Sequence, residues 1–202
     1  TEEESLLSEN LEEEHERIVL KRSYRSTAPI TQFTKEFMEN GHLIEAFERD
    51  GELPAVFEAT QQRTIEDKMI KTIEEYLNKG YETIAIIGKT IEECESIHKK
   101  MKKRMPLHFI NHESHTFNRG IVVIPAYLAK GIEFDAVIIP NVSIDHYKDE
   151  LERNLFYTAC TRAMHELAMF TRKEPCRFIK EVPKSLYKHY KIFHIKSNQH
   201  DA

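Results

Sequence analysis

Three short segments hold the residues best suited to chemistry. Thr161-Arg162-Ala163 lies within Asn154–Leu167 (NLFYTACTRAMHEL), an arginine among small and hydroxyl residues just ahead of a β-like run. Tyr24-Arg25-Ser26 sets an aromatic ring beside a guanidinium, shortly after the apolar run Ile18-Val19-Leu20. Ala129-Lys130-Gly131-Ile132-Glu133-Phe134 is a polar crossing between two apolar runs within Ile121–Ile139. A tyrosine can stack on a planar base while a neighbouring arginine reaches a phosphate. A glycine lets backbone approach a ligand closely, and a glutamate can accept hydrogen bonds from ribose hydroxyls. An arginine placed against a γ-phosphate stabilises transition-state charge, an effect worth about 10³–10⁵ in rate. Each segment also has a plainer reading. Tyr24 could pack on the next helix with Arg25 ion-paired, 129–133 could be a solvated turn, and Arg162 could serve helix-end carbonyls and the helix dipole.

The elements that must position these residues follow from apolar period. Thr27 as N-cap and Pro29 in the first turn predict a helix to about Glu39, with Ile30, Phe33, Phe37 and Met38 inward and Asn40-Gly41 as its stop. Residues 54–59 read as a strand. Residues 62–79 read as a helix with Ile65, Met69, Ile70, Ile73 and Leu77 on one face and Gly80 at its end. Thr83–Ile87 is apolar nearly throughout, as a strand of a parallel sheet requires. Thr90 and Glu93 form a capping box for a helix whose stripe is Ile91, Cys94, Ile97 and Met101. Its polar face, Lys99, Lys100, Lys102, Lys103 and Arg104, reads as solvated. Further strands are expected at 107–110, 120–125, 136–140 and 166–171, with a helix from about Asp149 to Met164 presenting Leu151, Leu155, Tyr157, Thr158 and Thr161 to the sheet. This alternation predicts an α/β fold, a parallel sheet with helices on both faces, with ligands outside the carboxyl ends of the strands.

Composition narrows the class further. The 202 residues give room for one good core with a flanking appendage, and no apolar run spans a bilayer, which excludes a membrane partner in the reading. Cys94, Cys160 and Cys176 lie far apart without CxxC spacing, which suits reduced thiols in a cytoplasmic protein and gives no metal site. His108, His112 and His115 match no zinc pattern and read as a surface loop. Eight glutamates fall in residues 1–16 without a Lys or Arg, so the formal charge of −5 becomes +3 once they are set aside. The organisation expected is an acidic helical connector over 1–16, a domain over 17–171 and a basic carboxyl tail over 172–202.

Taken together the three segments resemble motifs IV, V and VI of superfamily 1 helicases of the UvrD/Rep type. The family's YRS, AKGLEF and TRA signatures stand here as Tyr24-Arg25-Ser26, Ala129–Phe134 and Thr161-Arg162-Ala163, in the family's order. Phe156-Tyr157-Thr158-Ala159 before the last also fits. The resemblance implies the second RecA-like domain of an ATP-driven motor. It implies Tyr24 stacked on adenine, Arg25 at the γ-phosphate, Gly131 and Glu133 lining the cleft with Glu133 towards the ribose, and Arg162 as the arginine finger. The family touches single-stranded DNA just before Ala-Lys-Gly through Thr-x-His-Ser, whereas this chain has Pro125-Ala126-Tyr127-Leu128. Only 105 positions separate Arg25 from Lys130, too few for the large domain that UvrD and Rep insert there. The short spacing, Tyr127 and the basic carboxyl end look most like the HelD branch, whose members act on RNA polymerase.

The chain contains no G-x-x-x-x-G-K-[ST] segment, and hydrolysis needs that lysine and a Walker-B carboxylate to hold Mg²⁺ and the phosphates. The resemblance therefore implies ATP and Mg bound mainly by an N-terminal RecA-like domain of the same protein, single-stranded DNA as partner, and an isolated chain without turnover. Two other classes stand beside this reading. One is an interaction module with a vestigial cleft. The other is a self-contained small α/β enzyme, for which no nucleophile or acid–base pair is evident.

Overall fold

A computed structural model of the chain describes residues 26–46, 48–114 and 119–193. Seven strands form one parallel sheet: β1 (Ala55–Glu58), β2 (Thr83–Gly88), β3 (His108–Phe109), β4 (Gly120–Pro125), β5 (Phe134–Ile139), β6 (Ala163–Thr171) and β7 (Lys188–Lys191). Their spatial order is β3-β4-β2-β5-β6-β1-β7. Among the described residues five helices accompany them: α1 (Ala28–Lys35), α2 (Gln62–Asn78), α3 (Ile91–Met101), α4 (Arg153–Cys160) and α5 (Arg177–Lys180).

Side chains alternate across the sheet, so each central strand feeds two cores. Ala85, Ile87, Val122, Ile124, Val137, Ile139 and Met169 join Phe33 of α1, Phe156 of α4 and Phe178 of α5 in the first. Ile84, Ile86, Val123, Ile138 and Phe170 join Met69 and Ile73 of α2 and Cys94 and Met101 of α3 in the second. Both faces are covered, which is why β2, β4 and β5 read as continuous apolar runs. Each fully buried Ile or Phe contributes about 1.5–3 kcal/mol relative to exposure.

Helix ends follow local chemistry. α2 closes in a Schellman motif: Gly80, at φ +88°, donates its N–H to Leu77 O (3.0 Å), and Tyr81 N–H reaches Tyr76 O (3.3 Å). At the start of α3, Thr90 accepts from Glu93 N–H at 3.2 Å, but the Glu93 carboxylate takes the N–H of Lys89 rather than that of Thr90. The capping box expected there is half formed.

Four expectations need correction. The first helix ends at Lys35, short of Glu39, and turns through Gly41, whose missing Cβ avoids Lys35 O. On α2 it is Tyr76 that is buried, while Leu77 is exposed. The helix expected over 149–164 is shorter: a 3₁₀ turn at Glu150–Glu152 precedes it, and it stops at Cys160. The turn throws Leu151 outward to 93% exposure, and Ala163 and Met164 already belong to β6. Finally, residues 172–193, set apart as part of a tail, run on into the domain. Phe178 and Ile179 enter the core, and β7 pairs with β1, Tyr190 opposite Phe57. Ile18–Leu20 and residues 1–16 lie outside the described residues.

Candidate functional site at the amino-terminal rim

Helix α4 starts near the carboxyl ends of the strands and returns the chain to their amino ends. Its last carbonyls lead directly into Thr161-Arg162 and then β6. Loop 126–133 makes the same journey from the end of β4 to the start of β5, through a 3₁₀ turn at Ala126–Leu128. Ala126 and Ala129 are fully buried against the core, and Ile132 N–H bonds Ala129 O at 3.0 Å. Gly131 stands at φ +83° with open space where a Cβ would be. Its role here is the left-handed backbone that lets the loop turn into β5.

These two connections meet at the amino ends of β5 and β6. Phe134 pairs with Ala163, and Phe134 N–H donates to Arg162 O at 2.9 Å. The Arg162 side chain is only 6% exposed. Its Nε donates to Thr158 O at 3.1 Å, Nη1 to Ile132 O at 3.4 Å and Nη2 to Thr161 Oγ1 at 3.3 Å. Thr161 Oγ1 donates back into α4, to Tyr157 O at 2.9 Å and Thr158 O at 3.2 Å. The guanidinium thus ties the end of α4 to the loop residue that precedes Glu133. Serving carbonyls was the plainer reading of Arg162, and it holds in part.

Ser26 joins the same place. Its hydroxyl donates to Ala163 O at 2.7 Å, and Thr27 N–H donates to Met164 O at 3.0 Å. Gly51 packs against Thr27, where a Cβ would come within 2.9 Å of three side-chain atoms. Tyr24 and Arg25, expected at this site, lie outside the described residues. The residue that follows them is bonded to the strand that follows Arg162.

Glu133, Gly131 and Arg162 therefore come together, but at the amino-terminal rim. The sequence placed ligands outside the carboxyl ends, because 129–133 follows β4. Its functional half instead precedes β5, and adjacency of β5 and β6 is what brings Glu133 to Arg162.

The carboxyl-terminal rim is furnished differently. Lys89 ion-pairs with Glu152 and donates to His146 O at 2.6 Å, while His146 Nε2 lies 3.0 Å from Glu93. At the mouth of β4, Tyr127 is 45% exposed, and its hydroxyl lies 2.9 Å from His112 Nε2. The sequence did not foresee this Tyr127–His112 contact, since it joins two loops across the ends of β3 and β4.

Among the described residues no cluster of three or more His, Cys, Asp or Glu side chains could hold a metal ion. The three cysteines are buried and free. Burial pushes the Cys94 thiol up to about 12, so it is a poor nucleophile. No helix among the described residues is long and apolar enough to cross a membrane.

The seven-stranded parallel sheet with helices on both faces matches the RecA-like C-terminal domains of helicases. The UvrD-like helicase C-terminal domain family matches residues 120–170, which carry loop 126–133, Glu133 and Arg162. The C-terminal domain of a possible DNA helicase from Lactobacillus plantarum WCFS1 is 36% identical, with a TM-score of 0.72 over 82% of this chain and 97% of that one. The chain belongs to the UvrD-like helicase C-terminal domain family. Looser likenesses exist to an arterivirus nonstructural protein 10 helicase in complex with DNA (9% identity, TM-score 0.42, 68% of this chain and 35% of that) and to Mss116p DEAD-box helicase domain 2 bound to an RNA duplex (16%, 0.43, 71% and 65%). At those TM-scores they do not bear on this chain. No curated protein matches the sequence.

Proposed function

We propose that this chain is the second motor domain of an ATP-driven DNA helicase or translocase, and that its amino-terminal rim closes on ATP held by a first RecA-like domain. The observation that carries the reading is the convergence of Arg162, Glu133 and Gly131, with Ser26 bonded beside them. A guanidinium and a carboxylate on one rim fit the outer side of a nucleotide, phosphates towards the first and ribose hydroxyls towards the second. Nothing described here fits Mg²⁺, so the ion would be held by carboxylates of the first domain.

In this reading ATP supplies the phosphoryl transfer, and the chain's own residues sense it. Arg162 leaves Thr158 O and Ile132 O for the γ-phosphate when the domains close, joined by Arg25, while Tyr24 stacks on adenine. Because Ile132 belongs to the buried loop that begins at Ala126, a shift of Arg162 from Ile132 O to the nucleotide would reposition the segment that carries Tyr127. Tyr127 and His112 would stack against single-stranded DNA there, in place of the family's Thr-x-His-Ser contact. The short Arg25-to-Lys130 spacing supports a HelD-like relative that remodels RNA polymerase. Residues 1–16 would then be a connector to the first domain, and the protein cytoplasmic.

The test is kinetic, in the intact protein. Arg162→Ala should lower nucleic-acid-stimulated ATPase by about 10³-fold or more while ATP binding stays near wild type. Undiminished turnover would end the arginine-finger assignment and favour an interaction module with a vestigial cleft.

A further inference from the structure

The same rim carries Arg49, which lies far from every segment singled out in the sequence. Arg49 Nη2 is 3.0 Å from Nδ1 and 3.4 Å from Nε2 of His165. An in-plane bond to one imidazole nitrogen would leave the other well out of range. Near-equal distances therefore place the guanidinium nitrogen over the face of the ring. Tyr81 stacks on the same imidazole, centroids 5.4 Å apart and planes 4° from parallel. Tyr81 and His165 are stacked, and an N–H of Arg49 Nη2 points onto the imidazole.

This unit is fixed in place. Arg49 O accepts from Ala28 N–H at 2.8 Å, which anchors its loop to the start of α1. His165 follows Arg162 by three residues on the rim, at most about 10 Å further along the strand. Asp135 flanks the imidazole, with Oδ1 4.0 Å from Nε2. Its other oxygen is held by the N–H groups of Glu82 and Thr83 at 2.8 and 3.1 Å, so it cannot swing to Arg49. Among the described residues no carboxylate pairs with Arg49. One Nη2 N–H is spent on the imidazole, Nε and Nη1 have no partner among the described residues, and Arg49 is half-buried, where unfilled donors are costly. The contact with His165 anchors one corner of the guanidinium and leaves the Nε–Nη1 side for two-pronged binding of an oxyanion.

We propose that Arg49 is an oxyanion-binding residue of the amino-terminal rim, positioned by the face of His165. The oxyanion is either a nucleotide phosphate or a carboxylate of the opposing motor domain, and this choice of sources rests on the helicase reading.

Two arms test it. In the 202-residue chain, inorganic pyrophosphate should shift the His165 imidazole resonances saturably, and Arg49→Gln should weaken that binding about tenfold or more. His165→Phe keeps a ring face and should bind as wild type, whereas His165→Ala should bind as weakly as Arg49→Gln. In the intact protein, a KM for ATP raised about tenfold by Arg49→Gln identifies the phosphate as the source. An unchanged KM with weaker nucleotide-free closure between the domains, read by interdomain fluorescence transfer, identifies the carboxylate. The proposal is overturned if Arg49→Gln leaves pyrophosphate binding, KM and closure as they are in the wild type. A silent Arg162→Ala would end the helicase reading alone, and the pyrophosphate titration would still decide Arg49.

Discussion

The two ends of one parallel sheet share ion pairs but hold their arginines differently. At the carboxyl-terminal rim cations meet carboxylates: Lys89 with Glu152, Lys173 with Asp145, His146 with Glu93. At the amino-terminal rim Lys79 pairs with Glu166 and Arg119 with Glu82, while Arg162 donates to the carbonyls of Thr158 and Ile132 and Arg49 lies against the face of His165. A cation bound to a carbonyl or a ring loses less on moving to a phosphate than one that must first leave a carboxylate. Ion pairs help to hold both rims, and the amino-terminal rim adds one guanidinium bonded to carbonyls and another set against a ring. In a doubly wound sheet the carboxyl ends are the usual ligand edge. In the function proposed above, the domain's contribution to a shared site sits at the other edge.

The largest effect that could break this contrast is the loss of turnover in Arg162→Ala already described. Next come the glycines that shape each rim. Gly88, at the carboxyl-terminal rim, would place an alanine Cβ 2.6 Å from Cys94 Sγ, so Gly88→Ala should cost about 1–3 kcal/mol in denaturant unfolding by overpacking. Gly131→Ala meets no atom and should cost about 1–2 kcal/mol from its positive φ alone. The sharper difference is functional: in the intact protein Gly131→Ala should lower ATPase beyond its stability cost, and Gly88→Ala should not. Equal losses of turnover would erase the distinction between the rims.

Smaller still is the Lys89–Glu152 pair. Burial opposes the Glu152 charge, yet bonds from Lys89 and from the N–H groups of Lys148 and Asp149 hold its carboxyl below the usual range. A pKa lowered by folding contributes stability above the unfolded value, about 4.3, and loses it as pH falls through the folded value. Lys89→Met should therefore lower stability at neutral pH by under about 1 kcal/mol and flatten the loss on acidification. Thermal unfolding between neutrality and pH 3 measures this, and an unchanged acid slope would show that the pair contributes nothing.

Much of the fold was legible because parallel strands buried on both faces leave apolar runs, as in Thr83–Ile87 and Ile121–Ile124. The helix stop at Gly80 was legible for a similarly local reason, a left-handed position that favours glycine. β7 was not, since Lys-His-Tyr-Lys is an edge strand exposed along its length and carries no apolar signature. The candidate residues Gly131, Glu133 and Arg162 were picked out from motifs, but the rim on which they meet was not. That depends on β5 lying beside β6, which spacing does not encode. Arg49 and His165 are 116 residues apart and belong to no motif, so only the folded chain could bring them together.

The most direct measurement is hydrogen exchange on the intact protein with and without ATPγS and Mg²⁺. The account predicts slower exchange at amides 129–134 and 158–164, on the amino-terminal rim, with 88–92 and 141–146 unchanged. Protection confined to 88–92 and 141–146 would place the nucleotide at the carboxyl ends of the strands and contradict it.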